Sequence, residues 1–110
     1  MTKINSLIDR INGGDNALFK ELYGADAAVL KEQSTRYEGL IHDFEKSYGA
    51  GDVQLFSSPG RTEIGGNHTD HNNGRVLAGA VNLDMAAVAA KNGKEIIRVK
   101  SAGYREFQVN

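Results

Sequence analysis

Ser57-Ser-Pro-Gly-Arg-Thr-Glu-Ile-Gly-Gly-Asn-His-Thr-Asp-His-Asn-Asn-Gly74 divides the chain in two. Before it, apolar residues recur at helical spacing; after it, they alternate or run in short blocks, as strands do. The stretch holds four glycines, the chain's one proline, one arginine, two carboxylates and two of the three histidines in eighteen residues. Nothing else in the 110 residues is as dense in groups that can bind a ligand or do chemistry. Helices first and a mostly antiparallel sheet afterwards is the α+β order.

Working upstream, Ile4, Leu7, Ile8 and Ile11 fall at i, i+3, i+4 and i+7, one face of a short helix. Thr2 is its expected cap, and Gly13-Gly14 its stop. Asp15 is expected to cap a second helix carrying Leu18, Phe19, Leu22 and Tyr23, with Gly24 past its end. Asp26 is expected to cap a third helix of about 22 residues, or six turns. Its stripe is Leu30, Tyr37, Leu40, Ile41, Phe44 and Tyr48, and Gly49 ends it. Lys31, Glu32, Arg36, Glu45 and Lys46 form the opposite, solvated face. His42 has no evident charged constellation around it and reads as a structural or surface residue.

On either side of the dividing stretch the sequence predicts strands. Val53 to Ser57 reads as one, and Arg75 to Asn82 and Met85 to Ala90 as two more, rich in small residues. Lys91-Asn-Gly-Lys94 is a hairpin-type turn leading to a partner strand, Glu95 to Lys100. Arg105 to Val109 alternates as a last strand. The chain stops at Asn110 with no helix to cover the second half of this sheet, so the expected domain continues further.

The bulk numbers bound what the dividing stretch can serve. A length of 110 residues supports one domain. Hydrophobic residues make up 40% and charged residues 25%, a globular balance. The formal net charge of −1 gives no field favouring nucleic acid or an anionic membrane. The absence of cysteine excludes a disulfide scaffold and a thiolate zinc site. The sequence contains no signal-peptide pattern and no run of about 20 apolar residues. The expected location is the cytoplasm, where the glycosylation sequon at Asn67-His-Thr69 is a chance match.

A loop between two strands, held by rigid flanks, is where binding groups concentrate. Pro59-Gly60 reads as a turn, and Gly65-Gly66 lets the backbone approach a ligand. Arg61 presents a fork suited to phosphate or carboxylate. His68 and Asp70 point the same way on an extended segment, and Asn67 adds an amide that both donates and accepts. Such a set suits a ligand made of hydroxyl groups. Two blander readings stand beside this one: a plain surface loop, or a metal site at His68, Asp70 and His71. The histidine spacing is not the i, i+4 of a helical zinc site. A Walker-type loop, a dinucleotide fingerprint and a Ser or Cys nucleophile motif are absent. Glu63 reads as structural or solvated, and no metal site is expected.

The stretch from Ser58 to Leu77 resembles the galactokinase signature of the GHMP kinases, written in that family as Pro-Gly-Arg-Val-Asn-Leu-Ile-Gly-Glu-His-Thr-Asp-Tyr-Asn-x-Gly. The two align without a gap, and the long third helix and the following strand also fit. The resemblance implies an ATP-dependent sugar kinase acting on the anomeric hydroxyl of galactose or a related hexose. Residues 1–110 would be the sugar-binding part of its N-terminal domain. Arg61 then matches the arginine near the anomeric oxygen and the transferring phosphate, a catalytic as well as a substrate-binding role. His68 and Asp70 match residues that bind sugar hydroxyls. Asn67 stands where the family usually has glutamate, His71 replaces tyrosine, and Thr62-Glu63 replace Val-Asn. These departures bear on which sugar is bound.

The family's Gly-Leu-Ser-Ser-Ser phosphate loop and catalytic aspartate are not in this sequence. ATP and Mg²⁺ are therefore implied only through the remainder of a kinase chain, and these 110 residues alone are expected to be inactive. The alternative implied by the same resemblance is a non-catalytic sugar sensor acting through protein partners. A mevalonate or homoserine kinase fits less well, because those substrates do not need the hydroxyl-reading triplet His68-Thr-Asp70.

Overall fold

The computed structural model of the chain describes residues 2–13, 16–66 and 73–110. The amphipathic stripes seen in the sequence fold into three helices, α1 (Ile4–Asn12), α2 (Ala17–Tyr23) and α3 (Ala27–Tyr48). A two-residue strand, β1 (Thr2–Lys3), precedes them, and a long ribbon of β2 (Asp52–Gly65) and β3 (Leu77–Ala89) follows. A short pair, β4 (Ile97–Val99) and β5 (Phe107–Val109), ends the chain as described. Every strand pairing is antiparallel, in a three-stranded sheet ordered β1-β2-β3 and a two-stranded sheet β4-β5. The architecture is α+β.

The helix ends follow local hydrogen-bonding chemistry. Asp26 Oδ1 accepts from the backbone N–H of Ala28 at 2.9 Å and of Val29 at 3.1 Å, filling the orphan donors of α3. The helix runs 22 residues and closes on Gly49, whose N–H reaches Glu45 O at 2.7 Å. Thr2 does not cap α1. It is drawn into pairing with Val53 while Lys3 takes the cap position without a side-chain bond. For α2 the cap is Asn16, which accepts from Phe19 N at 3.3 Å; the expected cap Asp15 lies outside the described residues.

The stripe of α3 packs as its spacing requires. Ile41 (0% exposed) and Tyr37 are buried with Ile4, Ile11, Phe19 and Val53, and Leu30 and Phe44 flank them. Phe19 meets Tyr37 edge-on, centroids 5.0 Å apart at 85°, the geometry aromatic quadrupoles favour. The helices thereby cover one face of the β2–β3 ribbon, where Leu55, Ala86 and Val88 pack on the core.

The strands differ from the sequence expectation in three ways. β2 does not stop at Ser57 but continues through Pro59, Arg61 and Glu63 to Gly65, so the first half of the expected loop is sheet. Pro59-Gly60 is therefore not a turn. The two strands expected over residues 75–90 are one continuous strand, β3. The polar pair Asn82 and Asp84 falls at a bulge rather than at a break, because Pro59 pairs with Asp84 while Arg61 pairs with Ala80. One residue of β2 thus opposes three of β3, which bends and re-aims the ribbon. Finally, Glu95 to Lys100 does not partner β3. Asn92 does make a turn, with Oδ1 accepting from Lys94 N at 2.9 Å, but β4 pairs with β5. Arg98 on β4 bonds Glu106 at 2.8 Å and lies over the Tyr48 ring at 5.2 Å, which ties this small sheet to the end of α3.

The other face of the ribbon is not covered by any of the described residues: Phe56 is 48% exposed, and Leu83 and Met85 are 76% exposed. The total accessible surface is 8677 Å², against about 6,000 Å² for a compact monomer of this mass. No helix among the described residues is long and apolar enough to cross a membrane.

Candidate functional site

Arg61 stands on β2 immediately beyond the bulge, opposite Ala80. Its side chain is 66% exposed and its guanidinium lies 3.6 Å from the carboxylate of Glu63, which is itself mostly buried. The two side chains point to the same face of an extended strand, since they are two residues apart. Of the two sequence readings of Glu63, structural or solvated, the ion pair with Arg61 fits the structural one. The bulge against which Arg61 is placed is tightly packed. A Cβ on Gly60 would come within 3.0 Å of Val81 Cγ2 and 3.1 Å of Leu83 O, so glycine is what lets β2 lie against the extra residues of β3.

Gly66 follows the end of β2, and Asn73 lies four residues before the start of β3. Gly66 has φ 100°, and a Cβ there would sit 2.5 Å from Arg75 O and 2.7 Å from Val76 Cα. Only glycine satisfies both demands, and the close approach holds the two ends of the connecting segment together. Asn73 adopts φ 62°, the left-handed region that asparagine tolerates better than most residues. Asn67, His68 and Asp70, the candidate hydroxyl-binding residues, fall between these two ends in the chain and lie outside the described residues. His71 does too. Among the sequence-derived site residues, the described structure therefore places Arg61 on β2 and brings it beside Glu63.

Among the described residues, the densest polar cluster is one the sequence did not single out. Asp84, on the helix-facing side of β3 at the bulge, receives the Ser57 hydroxyl at 2.5 Å and the Tyr23 hydroxyl at 2.6 Å on Oδ2. Arg36 of α3 donates from Nη1 to Oδ1 at 2.6 Å and from Nη2 to the Asp84 backbone carbonyl at 3.0 Å. The Tyr23 proton is committed to Asp84, so Tyr37, 2.8 Å away, donates to the Tyr23 oxygen. α2, α3, β2 and β3 are thereby joined through one carboxylate. Burial alone would raise the Asp84 pKa, but the bonds from Ser57, Tyr23 and Arg36 together outweigh it and hold the group at about 2. Tyr23 is pushed up, first by burial and then by the Asp84 carboxylate, and Arg36 is pushed up by its bond to Asp84. A signal for this cluster was present in the sequence. Asp84 is a lone carboxylate in the apolar run from Leu77 to Ala90, and a charge in such a strand needs partners.

His42 is an exposed side chain on α3, with Nε2 3.6 Å from Glu38 and Nδ1 3.9 Å from Glu45. The charged neighbours that its sequence context did not reveal are one helical turn away on either side. A shallow groove of about 240 Å³ between the helices, lined by Ile11, Asn16, Phe19 and Lys31, shares no residue with the Arg61 strand.

Against known proteins, the family model described as the galactokinase galactose-binding signature matches residues 42–91. The match takes in Arg61, Asn67, His68 and Asp70 as well as the bulge and Asp84. The chain is 36% identical to a galactokinase of Streptococcus thermophilus over 67 residues, covering 61% of the chain and 17% of that protein. It is 33% identical to one of Fusobacterium nucleatum subsp. nucleatum over 73 residues, covering 66% of the chain and 19% of that protein. It is 30% identical to one of Candida parapsilosis over 74 residues, covering 66% and 15%. The chain thus spans less than a fifth of the length of these curated relatives. No solved structure matches it.

Proposed function

We propose that this chain, a galactokinase segment by its signature, is the sugar-binding part of an ATP-dependent kinase that phosphorylates galactose or a related hexose at the anomeric hydroxyl. The observation that carries the proposal is the signature match over residues 42–91. It falls on the same residues whose chemistry suits a polyhydroxyl ligand. In this reading Arg61 donates from its guanidinium fork to the anomeric end of the sugar, where charge develops on the attacking oxygen. His68 and Asp70 pair with further hydroxyls, and Asn67 offers an amide where a carboxylate is usual. A site that pairs a hydroxyl rejects analogues lacking it, or presenting it elsewhere, by large factors. Asn67 is therefore the position at which the choice of hexose is expected to be tuned.

ATP supplies the phosphoryl group in such a reaction, with Mg²⁺ held mainly by the phosphates and water. The capped helix ends among the described residues do not fit that nucleotide. The N-terminus of α3, the kind of site that binds phosphate, is filled by the Asp26 carboxylate, and that of α2 by the Asn16 side chain. The nucleotide site belongs to the remainder of the proposed kinase chain, which is the partner this segment requires, in the cytoplasm. The test is ADP release by the full-length protein with ATP, Mg²⁺ and a panel of hexoses. Turnover with galactose, or with one related hexose, that is lost in Arg61→Ala and Asp70→Ala is the expected result. Sugar binding without turnover by any hexose would replace the kinase with a sensor, and neither binding nor turnover would overturn the reading.

A further inference from the structure

We propose that Asp84 is a positioning residue for Arg61, holding the bulge that aims the arginine at the sugar; the proposal rests on the reading of Arg61 as a sugar-site residue. Asp84 is the last residue of β3 in regular register, paired with Pro59, before the ladder shifts to Arg61 opposite Ala80. Bulges next to functional sites re-aim side chains, and they do so only if the extra residues are fixed. Here the fixing is done from one side. Ser57, two residues before Pro59 on β2, donates to the Asp84 carboxylate. Arg36 grips both the Asp84 carboxylate and the Asp84 backbone carbonyl, so the strand itself, and not only its side chain, is tied to α3. Tyr23 adds a bond from α2. Within the bulge Gly60 packs tightly on Val81 and Leu83, where a Cβ would come to 3.0 Å from Val81 Cγ2 and 3.1 Å from Leu83 O, so movement of these residues is passed to the backbone preceding Arg61.

None of the Asp84 partners touches Arg61, whose side chain is beside Glu63. Asp84 therefore acts on the arginine through the backbone. A purely structural role predicts that loss of Asp84 lowers stability and leaves the Arg61 environment and its energetic contribution unchanged. A positioning role predicts that both change while the fold persists.

The experiment compares wild type, Asp84→Asn, Ser57→Ala, Arg61→Ala and the Asp84→Asn/Arg61→Ala double variant of the full chain. Two readouts are taken. The first is the Arg61 side-chain Nε–H resonance together with amide hydrogen exchange over residues 60–65, which needs no sugar. The second is galactose affinity. The expected result is a shifted Arg61 resonance and faster exchange over 60–65 in Asp84→Asn and, to a smaller degree, in Ser57→Ala, with α3 amides unchanged. Galactose affinity is expected to fall about tenfold in Asp84→Asn, and by no further factor when the change is made on Arg61→Ala, since the two act as one unit. An unchanged Arg61 resonance in Ser57→Ala and Asp84→Asn overturns the proposal, as does an equal affinity loss in the presence and absence of Arg61. Failure of wild type to bind galactose at all counts against the sugar-site reading, while the resonance still decides whether Asp84 positions Arg61. If Asp84→Asn does not fold, Ser57→Ala, which removes one hydroxyl, carries the same decision.

Discussion

Asp84 carries two consequences that can be measured without a ligand. Its folded pKa of about 2 lies below the ordinary carboxylate value near 3.9. Folding is therefore stabilised by its ionised form above about pH 4, and this contribution is lost as pH falls through that value towards 2. The side chain is 14% exposed, so the lost stability is on the order of 1–2 kcal/mol once solvent screening is allowed for. Urea titrations from pH 5 to pH 2 are expected to show this acid limb in wild type and a flatter one in Asp84→Asn. Gly66 makes the second residue-scale prediction. With φ 100° and backbone atoms where a Cβ would be, Gly66→Ala must open the ribbon end. A melting experiment is expected to show destabilisation of more than about 1 kcal/mol, whereas Gly51→Ala, with open space around it, falls well short of that. At this scale the sequence was informative about local chemistry and blind to distant partners. Arg61 and the glycines could be singled out because a turn-rich cluster is visible in one stretch. The Asp84 cluster could not be assembled, because its donors Tyr23, Arg36 and Ser57 are 61, 48 and 27 residues away.

Elements were legible where one period ran long enough to dominate. The six-turn stripe of α3, with an aspartate before it and a glycine after it, appears in the structure with the expected limits. Two predictions follow its two determinants. Ile41→Ala removes a side chain that is 0% exposed and is expected to cost about 2–5 kcal/mol in urea denaturation. Asp26→Ala removes the cap of two backbone N–H groups and is expected to cost about 1 kcal/mol by the same measurement. The strands were read less well, for identifiable reasons. Pro59-Gly60 looks like a turn, but proline needs no ladder donor and glycine fits a close approach, and both are met beside a bulge on the strand. Asn82 to Asp84 looks like a break because two polar residues interrupt apolar ones. The polar residue is tolerated there because the helices supply hydrogen bonds to it. The Asn92-Gly93 turn was visible, yet a turn signal specifies a reversal and not which strand the returning chain will join.

For the molecule as a whole, the helical layer protects one face of the β2–β3 ribbon and reaches the bulge through Asp84, while the Arg61 side chain stays largely exposed. The α+β order was legible because helical and strand periodicities occupy separate halves of the chain. The proposed function was legible because side chains whose chemistry suits a polyhydroxyl ligand cluster in one stretch, from Arg61 to Asp70. The curated galactokinases that share this stretch are more than five times as long as the part they share, so the proposed catalysis depends on chain outside the shared part. The central claim, that this segment reads a sugar, is tested most directly by titrating galactose into wild type and Asp70→Ala and following binding by calorimetry. Loss of a charged hydrogen-bonding group to a bound hydroxyl costs about 1.5–3 kcal/mol, or roughly 10–100-fold in affinity. The expected result is saturable galactose binding in wild type, weakened by that factor in Asp70→Ala at unchanged melting temperature. Equal affinity in the two proteins, or no binding by wild type, would contradict it.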